Sequence, residues 1–502
     1  MKRFHRRHFL QLAASAAALQ ACQDPKGSPG VGGGGGGPEG AGGGGGVGGG
    51  SGAAGGSGGQ GPTGGFPVAV TSYELPQDRE AAIVAAVELS GGMPWLSPGD
   101  TVLIKVAMNS PNPYPATTSP HAVAALVKLC LDAGASRVFV ADLMGLENTL
   151  VPGGWALEDP LGSGFDPDHD GTIRAFHASG LYAAVAAAAG ESNIGPNQRV
   201  HLTSFREHGW YRFESESATS GTPYLVADWV RDQVETAETW DGSKPITKSY
   251  IKRPFDAGPD MPGMFVPNLV GDVDHIINCH RVSTHVMSHY TLSLKNWFGI
   301  MRPDDRIWMH QISYLKNHRG TGDDPIRSEP PYNLMLPELH ASTWSRERLV
   351  VADASEVIAS GGPDESDKDL FPARLAVAAQ DLVSADVIGL SIIRQAVMAS
   401  ELMGGLGGQC APPPQSAKSL SLGFLGGLVI PWKDAMYGND DKLCDPSFSP
   451  WDWIAVQRAR ELGFGCPHPD ELDLRFPTSG IHQLPAAQQS FLSQDAMLPP
   501  QS

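Results

Sequence analysis

The feature that most narrows the fold is a strand–helix–strand pattern between residues 101 and 142. Residues 101–107 read TVLIKVA, a short apolar, β-branched run suited to a strand buried on both faces. Ser119-Pro120 then sets an N-cap residue before a proline fit for the first helical turn. Beyond it Val123, Leu126, Val127, Cys130 and Leu131 recur at helical spacing, and Gly134 supplies the stop. Residues 137–141 (RVFVA) form a second buried strand, closed by Asp142. Two strands joined through a helix are parallel, with a right-handed crossover.

The alternation resumes downstream. Strands are predicted at 273–279 (VDHIINC), 349–352 (LVVA, ending in Asp353) and 375–379, with helices at 290–299, 384–400 and 449–462. The fold expected is therefore α/β: a mostly parallel or mixed sheet flanked by helices, with a loop-rich insertion around 150–270. The α/β domain spans 67–480, and 481–502 reads as a C-terminal tail.

The first 66 residues do not read as part of that domain. Lys2, Arg3, Arg6 and Arg7 form a basic start, and Arg6-Arg7-His8-Phe9-Leu10 fits the twin-arginine export pattern. The apolar stretch that follows is shorter than the roughly 20 residues a membrane-spanning helix needs. It ends in Leu19-Gln20-Ala21-Cys22, a lipobox in which Cys22 receives the lipid. Residues 1–21 are thus read as a leader. Gln23 stands where Asp marks inner-membrane retention, which favours the outer membrane. Residues 22–66 are dominated by glycine, a composition that cannot bury enough surface to fold. They are expected to tether the body with a reach of about 35–40 Å. The leader holds four positive charges and no acid, so removing it takes the formal net charge from −18 to −22. An acidic body argues against nucleic acid and against electrostatic docking on anionic lipid, leaving the anchor as the membrane contact. No C-x-x-C occurs, so an iron–sulfur cluster is not expected. Any disulfide is sought among Cys410, Cys444 and Cys466.

Several blocks in order carry a family resemblance. They are Ile104-Lys105, Asn109, Thr117-Thr118-Ser119-Pro120, Gly134-Ala135 and Val140-Ala141-Asp142. Further on come Asp274, Ile277-Asn278, His285, Lys295-Asn296, Gly299 and His310. Val351-Ala352-Asp353, Gly361-Gly362-Pro363, Asp381, Ala385-Asp386 and residues 461–465 (ELGFG) complete the set. Over residues 100–466 the chain resembles the domain of unknown function 362 family. It departs in two places: the ferredoxin-like cysteine cluster of many members is absent, and the lysine before the middle histidine is replaced around Ser283-Thr284.

Candidate chemistry concentrates between Asp274 and His310. His275, His280, His285, His289 and His310 fall within 36 positions, out of 16 histidines in the chain. His285, Lys295 and His310 are the catalytic candidates, as proton carriers and as an anion anchor. His285 and His289, four apart, would share a helix face and hold a divalent metal. Asn109, Thr117, Thr118, Asp142, Asn296 and Asp353 are the substrate-binding candidates, because ligands of open α/β sheets sit beyond the carboxyl ends of strands and anions favour helix N-termini. A calcium loop of D-x-D-x-D-G type is read at Asp166, Asp168, Asp170 and the Thr172 carbonyl, with His177 in place of the closing glutamate. The reading is an envelope protein with a polar pocket for a small anionic metabolite, metal-assisted in one version. The alternative is a non-catalytic binding or assembly lipoprotein, and a redox carrier ranks third. Convergence of Asp142, His285, Lys295, His310 and Asp353 discriminates between the first two.

Overall fold

In chain order the elements begin with β1 (Phe66–Ser72), α1 (Arg79–Leu89), β2 (Thr101–Lys105), α2 (Pro120–Asp132) and β3 (Arg137–Asp142). α3 (Thr172–Ala178), α4 (Leu181–Ala189) and β4 (Val200–Ser204) follow. Next come β5 (Trp210–Phe213), β6 (Met264–Pro267), α5 (Asn268–Asp272), β7 (His275–His280), β8 (Ser283–His285), β9 (His289–Thr291) and α6 (Ser293–Asn296). α7 (Pro331–His340), β10 (Glu347–Ala354), β11 (Val357–Ile358), β12 (Leu370–Phe371), β13 (Leu375–Ala379) and α8 (Leu382–Ala399) lead to α9 (Ile454–Glu461), β14 (Leu472–Arg475) and α10 (Ala486–Ala496). This computed structural model describes residues 65–145, 171–213, 264–285, 289–302, 331–343, 345–359, 370–399, 443, 445 and 447–501.

Eight strands form one sheet in the order β14-β1-β13-β10-β7-β2-β3-β4. Seven run the same way, and β13 alone is antiparallel to its neighbours β1 and β10. Both faces are covered, which is why the strands read as continuous apolar runs. Val102, Ile104, Val138, Val140, Ile277 and Cys279 face one core, shared with Ile83 of α1, Leu126 of α2 and Phe176 of α3. Leu103, Phe139, Ile276, Val350 and Val377 face the other, shared with α7, α8, α9 and α10. The described residues form a three-layer α/β/α sandwich, as the alternation of strands and helices implies.

The structure corrects four local expectations. First, β4 pairs with β3 in the main sheet and α3 packs on it, so the chain from Gly171 to Ser204 belongs to the α/β body and not to an insertion. Second, residues 290–299 are not one helix. The hairpin β8–β9 occupies the start, because Asp386 accepts the N–H groups of Ser293 and Leu294 and fixes the helix start there. Third, residues 481–502 are not a mere tail: Leu492 and Ala496 of α10 are buried, and Trp451 Nε1 donates to Ala496 O at 2.8 Å. Fourth, Cys466 is a buried free thiol, as are Cys130 and Cys279; Cys410 and Cys444 lie outside the described residues. Helix α8 is long and apolar enough to cross a membrane, yet 83% of it is buried inside the protein. It is a core helix.

Arg394 of α8 and Asp495 of α10 form a buried ion pair. Asp495→Ala leaves the guanidinium buried without its carboxylate and should cost about 3–5 kcal/mol. The double variant Arg394→Met/Asp495→Leu should cost less than that single change. Urea unfolding of the three proteins measures both.

Candidate functional site

Strand alternation decides where the one lysine of TVLIK goes. Leu103 and Lys105 point to the same face, so Lys105 is carried into the core layer and is fully buried. Its ammonium lies 2.7 Å from Asp142 Oδ1, and it donates to Asn296 Oδ1 at 3.0 Å and to Val106 O at 2.5 Å. Asp142, at the carboxyl end of β3, accepts the Met108 N–H on Oδ2 at 2.5 Å. A Cβ added at Gly299 would lie 2.3 Å from Asp142 Oδ1 and 2.5 Å from Lys105 Nζ. Only a glycine lets that turn close over the pair.

From Lys105 the polar contacts continue inward. Asn296 Nδ2 donates to Lys105 O at 3.2 Å and to Asn278 Oδ1 at 2.7 Å. Asn278 Nδ2 donates to Ser293 O at 3.0 Å and to Glu347 Oε2 at 3.3 Å. Burial pushes the Glu347 carboxyl up to about 8, with Asp381 and Asp386 adding to the shift and Asn278 opposing it. Burial likewise raises Asp386 to about 7, against the donors of Ser293 and Leu294. His340, whose Nδ1 lies 3.8 Å from Glu347, is lowered by burial to about 3.

The loop after β2 is stitched down along the same edge of the sheet. Thr118 Oγ1 accepts the Ala107 N–H at 2.7 Å and donates to Cys279 O at 2.9 Å, while Thr117 Oγ1 donates to Asn112 O at 3.1 Å. Both hydroxyls thus hold main chain. Arg281, buried just past β7, donates through Nη1 to Pro115 O at 3.1 Å and to Ala116 O. Asn109 accepts the Gly145 N–H on its carbonyl at 3.1 Å, joining the loops that follow β2 and β3.

Asp353 forms a separate cluster at the end of β10. It pairs with Arg79 and accepts the Ser355 N–H at 2.9 Å; the Arg79 guanidinium lies 4.4 Å above the Tyr114 ring. β10 stands two strands from β2, roughly 10 Å across the sheet.

The structure therefore brings Asp142 and Asn296 together on Lys105, and sets Asp353 apart. The histidines do not converge. His275 sits at the opposite end of β7, 3.0 Å from Asp100, and His280 is buried at its carboxyl end, its imidazole lowered to about 4 by burial. His285 and His289 are not one helical turn apart; they face each other across the β8–β9 hairpin. Lys295 lies with its ammonium 4.0 Å over the Phe298 ring. Thr172 opens α3, and its hydroxyl accepts the Met144 N–H at 3.3 Å. Cys22, Asp166, Asp168, Asp170 and His310 lie outside the described residues. Among the described residues no group of three metal-ligating side chains occurs. Lys105, Asn278 and Glu347 were missed as site residues, although Lys105 and Asn278 stood in the family blocks and Lys105 was a lysine inside an otherwise apolar strand.

Fold and site together define a three-layer α/β protein with a buried cation–carboxylate pair at the carboxyl edge of its parallel strands. The chain belongs to the family described as Domain of unknown function (DUF362), whose model matches residues 102–216 and 237–391. None of the curated proteins matches it. Among solved structures it is similar to a structural-genomics crystal structure of a Thermotoga maritima protein, at 12% identity and a TM-score of 0.34. That likeness covers 66% of this chain, which spans 60% of the length of the Thermotoga chain.

A carboxyl held neutral to about 8 sets the sign of one pH effect. Between its ordinary value of 4.5 and about 8 the unfolded chain releases the Glu347 proton while the folded chain keeps it. Its contribution to stability is complete below the ordinary value and is lost as pH rises through the folded one, on the order of 5 kcal/mol in all. Glu347→Gln should flatten that decline in urea midpoints measured from pH 5 to 9.

Proposed function

We propose that this protein is exported, anchored by lipid on Cys22, and binds a small anionic metabolite at the carboxyl edge of its sheet. One observation carries the binding half: the position of Lys105 at the point where the strand order reverses. From β2 the chain adds β3 and β4 on one side, while β7 and β10 lie on the other. The helix after β2 packs on one face, and the elements after β7 pack on the other. Open α/β sheets take their ligands in the crevice outside the carboxyl ends of the strands at such a switch point, here beside the β2 loop that Thr118 and Arg281 tie to the end of β7. Lys105 and Arg281 stand buried at the carboxyl ends of β2 and β7, with the Asp142 carboxylate beside the Lys105 ammonium.

Metal assistance by His285 and His289 is not part of this reading, since among the described residues no third ligand joins that cross-strand pair. The anchoring half rests on the order of basic start, twin arginine, apolar stretch and lipobox. The chain enters the sheet at Phe66, the amino end of a strand parallel to β2.

Two measurements test the proposal. Millimolar phosphate, sulfate or a short dicarboxylate should raise the melting temperature of the wild-type body and leave that of Lys105→Met unchanged. A folded Lys105→Met protein with undiminished anion stabilisation would remove Lys105 from the reading. In the native host, Arg6→Lys/Arg7→Lys should leave the precursor in the cytoplasm, and Cys22→Ala should yield protein that no longer partitions with membranes. Unchanged fractionation of both variants would overturn the anchor.

A further inference from the structure

We propose that Glu347 is a positioning residue for this crevice, acting on the Lys105 ammonium through a one-way chain of two buried amides. The functional consequence rests on the binding reading above; the chain itself does not. Lys105 Nζ donates to Asn296 Oδ1, Asn296 Nδ2 to Asn278 Oδ1, and Asn278 Nδ2 to Glu347 Oε2, at 3.0, 2.7 and 3.3 Å. The chain crosses three neighbouring strands, from β2 through β7 to β10. Lys105, Asn278 and Asn296 are each at least nine-tenths buried.

An amide can be turned end for end, so direction must be fixed by something besides the chain. Here it is fixed twice, by main-chain carbonyls that accept only. Asn296 Nδ2 also donates to Lys105 O, and Asn278 Nδ2 also donates to Ser293 O. Reversing either side chain would set two acceptors against each other in the core, at the cost of an unsatisfied buried group. Every donor in the chain therefore points from the lysine towards the carboxyl. Hydrogen bonds aligned in one sense polarise each other. A negative charge at the Glu347 end pulls on each link and holds the ammonium towards Asn296, away from the crevice.

The groups around Glu347 come from every side. His340 of α7 is 3.8 Å away, Asp381 and Asp386 face it from the start of α8, and Arg346 precedes it and donates to Val273 O. Burial keeps His340 neutral at ordinary pH, and the two aspartates oppose ionisation of Glu347. The carboxyl thus changes charge slightly above neutrality, where the chain would transmit the change.

The test follows Lys105 directly. The full mature protein is labelled with 13C at lysine Cε, and Lys105 is assigned by Lys105→Arg. In the wild type the Lys105 resonance should move with the midpoint at which the Glu347 carboxyl titrates, and Glu347→Gln should abolish that step. Sulfate, whose charge is constant over the same range, should bind the wild type roughly threefold more weakly above the midpoint than below it, and with one affinity throughout in Glu347→Gln. No step in the wild type, or the same step in Glu347→Gln, overturns the coupling. Sulfate binding with an identical pH profile in the two proteins also overturns it and leaves the binding site standing. A Lys105 step without any sulfate affinity supports the coupling and removes support from the anion reading instead.

Discussion

Burying an ammonium group inside a sheet costs several kcal/mol unless charge and hydrogen bonds replace the water it loses. Lys105 is fully buried, and much of the surrounding structure answers to that requirement. Asp142 supplies the counter-charge from the next strand, and Asn296 supplies an acceptor from the opposite side. Asn296 is in place only because α6 starts at Ser293, and that start is set by Asp386 on α8. Gly299 is required because any side chain there would strike the pair. One lysine thus links three strands, a helix start and a turn that are far apart in the sequence.

The same requirement explains why acids accumulate deep in this layer without cations beside them. Glu347 and Asp386 stand near neutral pH values for ionisation, at about 8 and about 7, because burial penalises their charge more than amide donors relieve it. A neutral carboxyl tolerates a dry core and still accepts a hydrogen bond. Around these two acids the layer is polar in its bonding, while its buried charges are paired, as in Lys105–Asp142, Arg394–Asp495 and Arg458–Glu338. Such a layer orients its members well, since each has few alternative partners.

How much of this was legible in the sequence follows from the range of the interactions. The strand–helix–strand unit at 101–142 was, because periodicity and capping are local. So were the runs that became β7, β10 and β13, all of them apolar enough to be central strands. The hairpin at His285 and His289 was not, because histidines four apart fit a helix face as well as two facing strands. What chooses between them is Asp386, about a hundred residues downstream, which delays the helix to Ser293. Asp142 and Asn296 were identified from strand ends and family blocks. Lys105 was visible as a family-block residue and as an anomaly in an apolar run, but not as a site residue, and Glu347 left no local mark, since its environment is made by β7, α6, α7 and α8 together. Helix α10 escaped notice for a similar reason: its sequence is polar on most sides, and it is held by Arg394 and Trp451.

The direction of the strands decides which residues share an edge of the sheet. Seven of eight strands point the same way, so every loop that follows β1, β2, β3, β4, β7 or β10 opens on one edge. That edge holds Arg79, Tyr114, Arg281, Asn109 and the Lys105–Asp142 pair. The amino end of β1, Phe66, lies at the other edge. Parallel strands thus gather polar groups from loops far apart in the sequence at one end of the sheet.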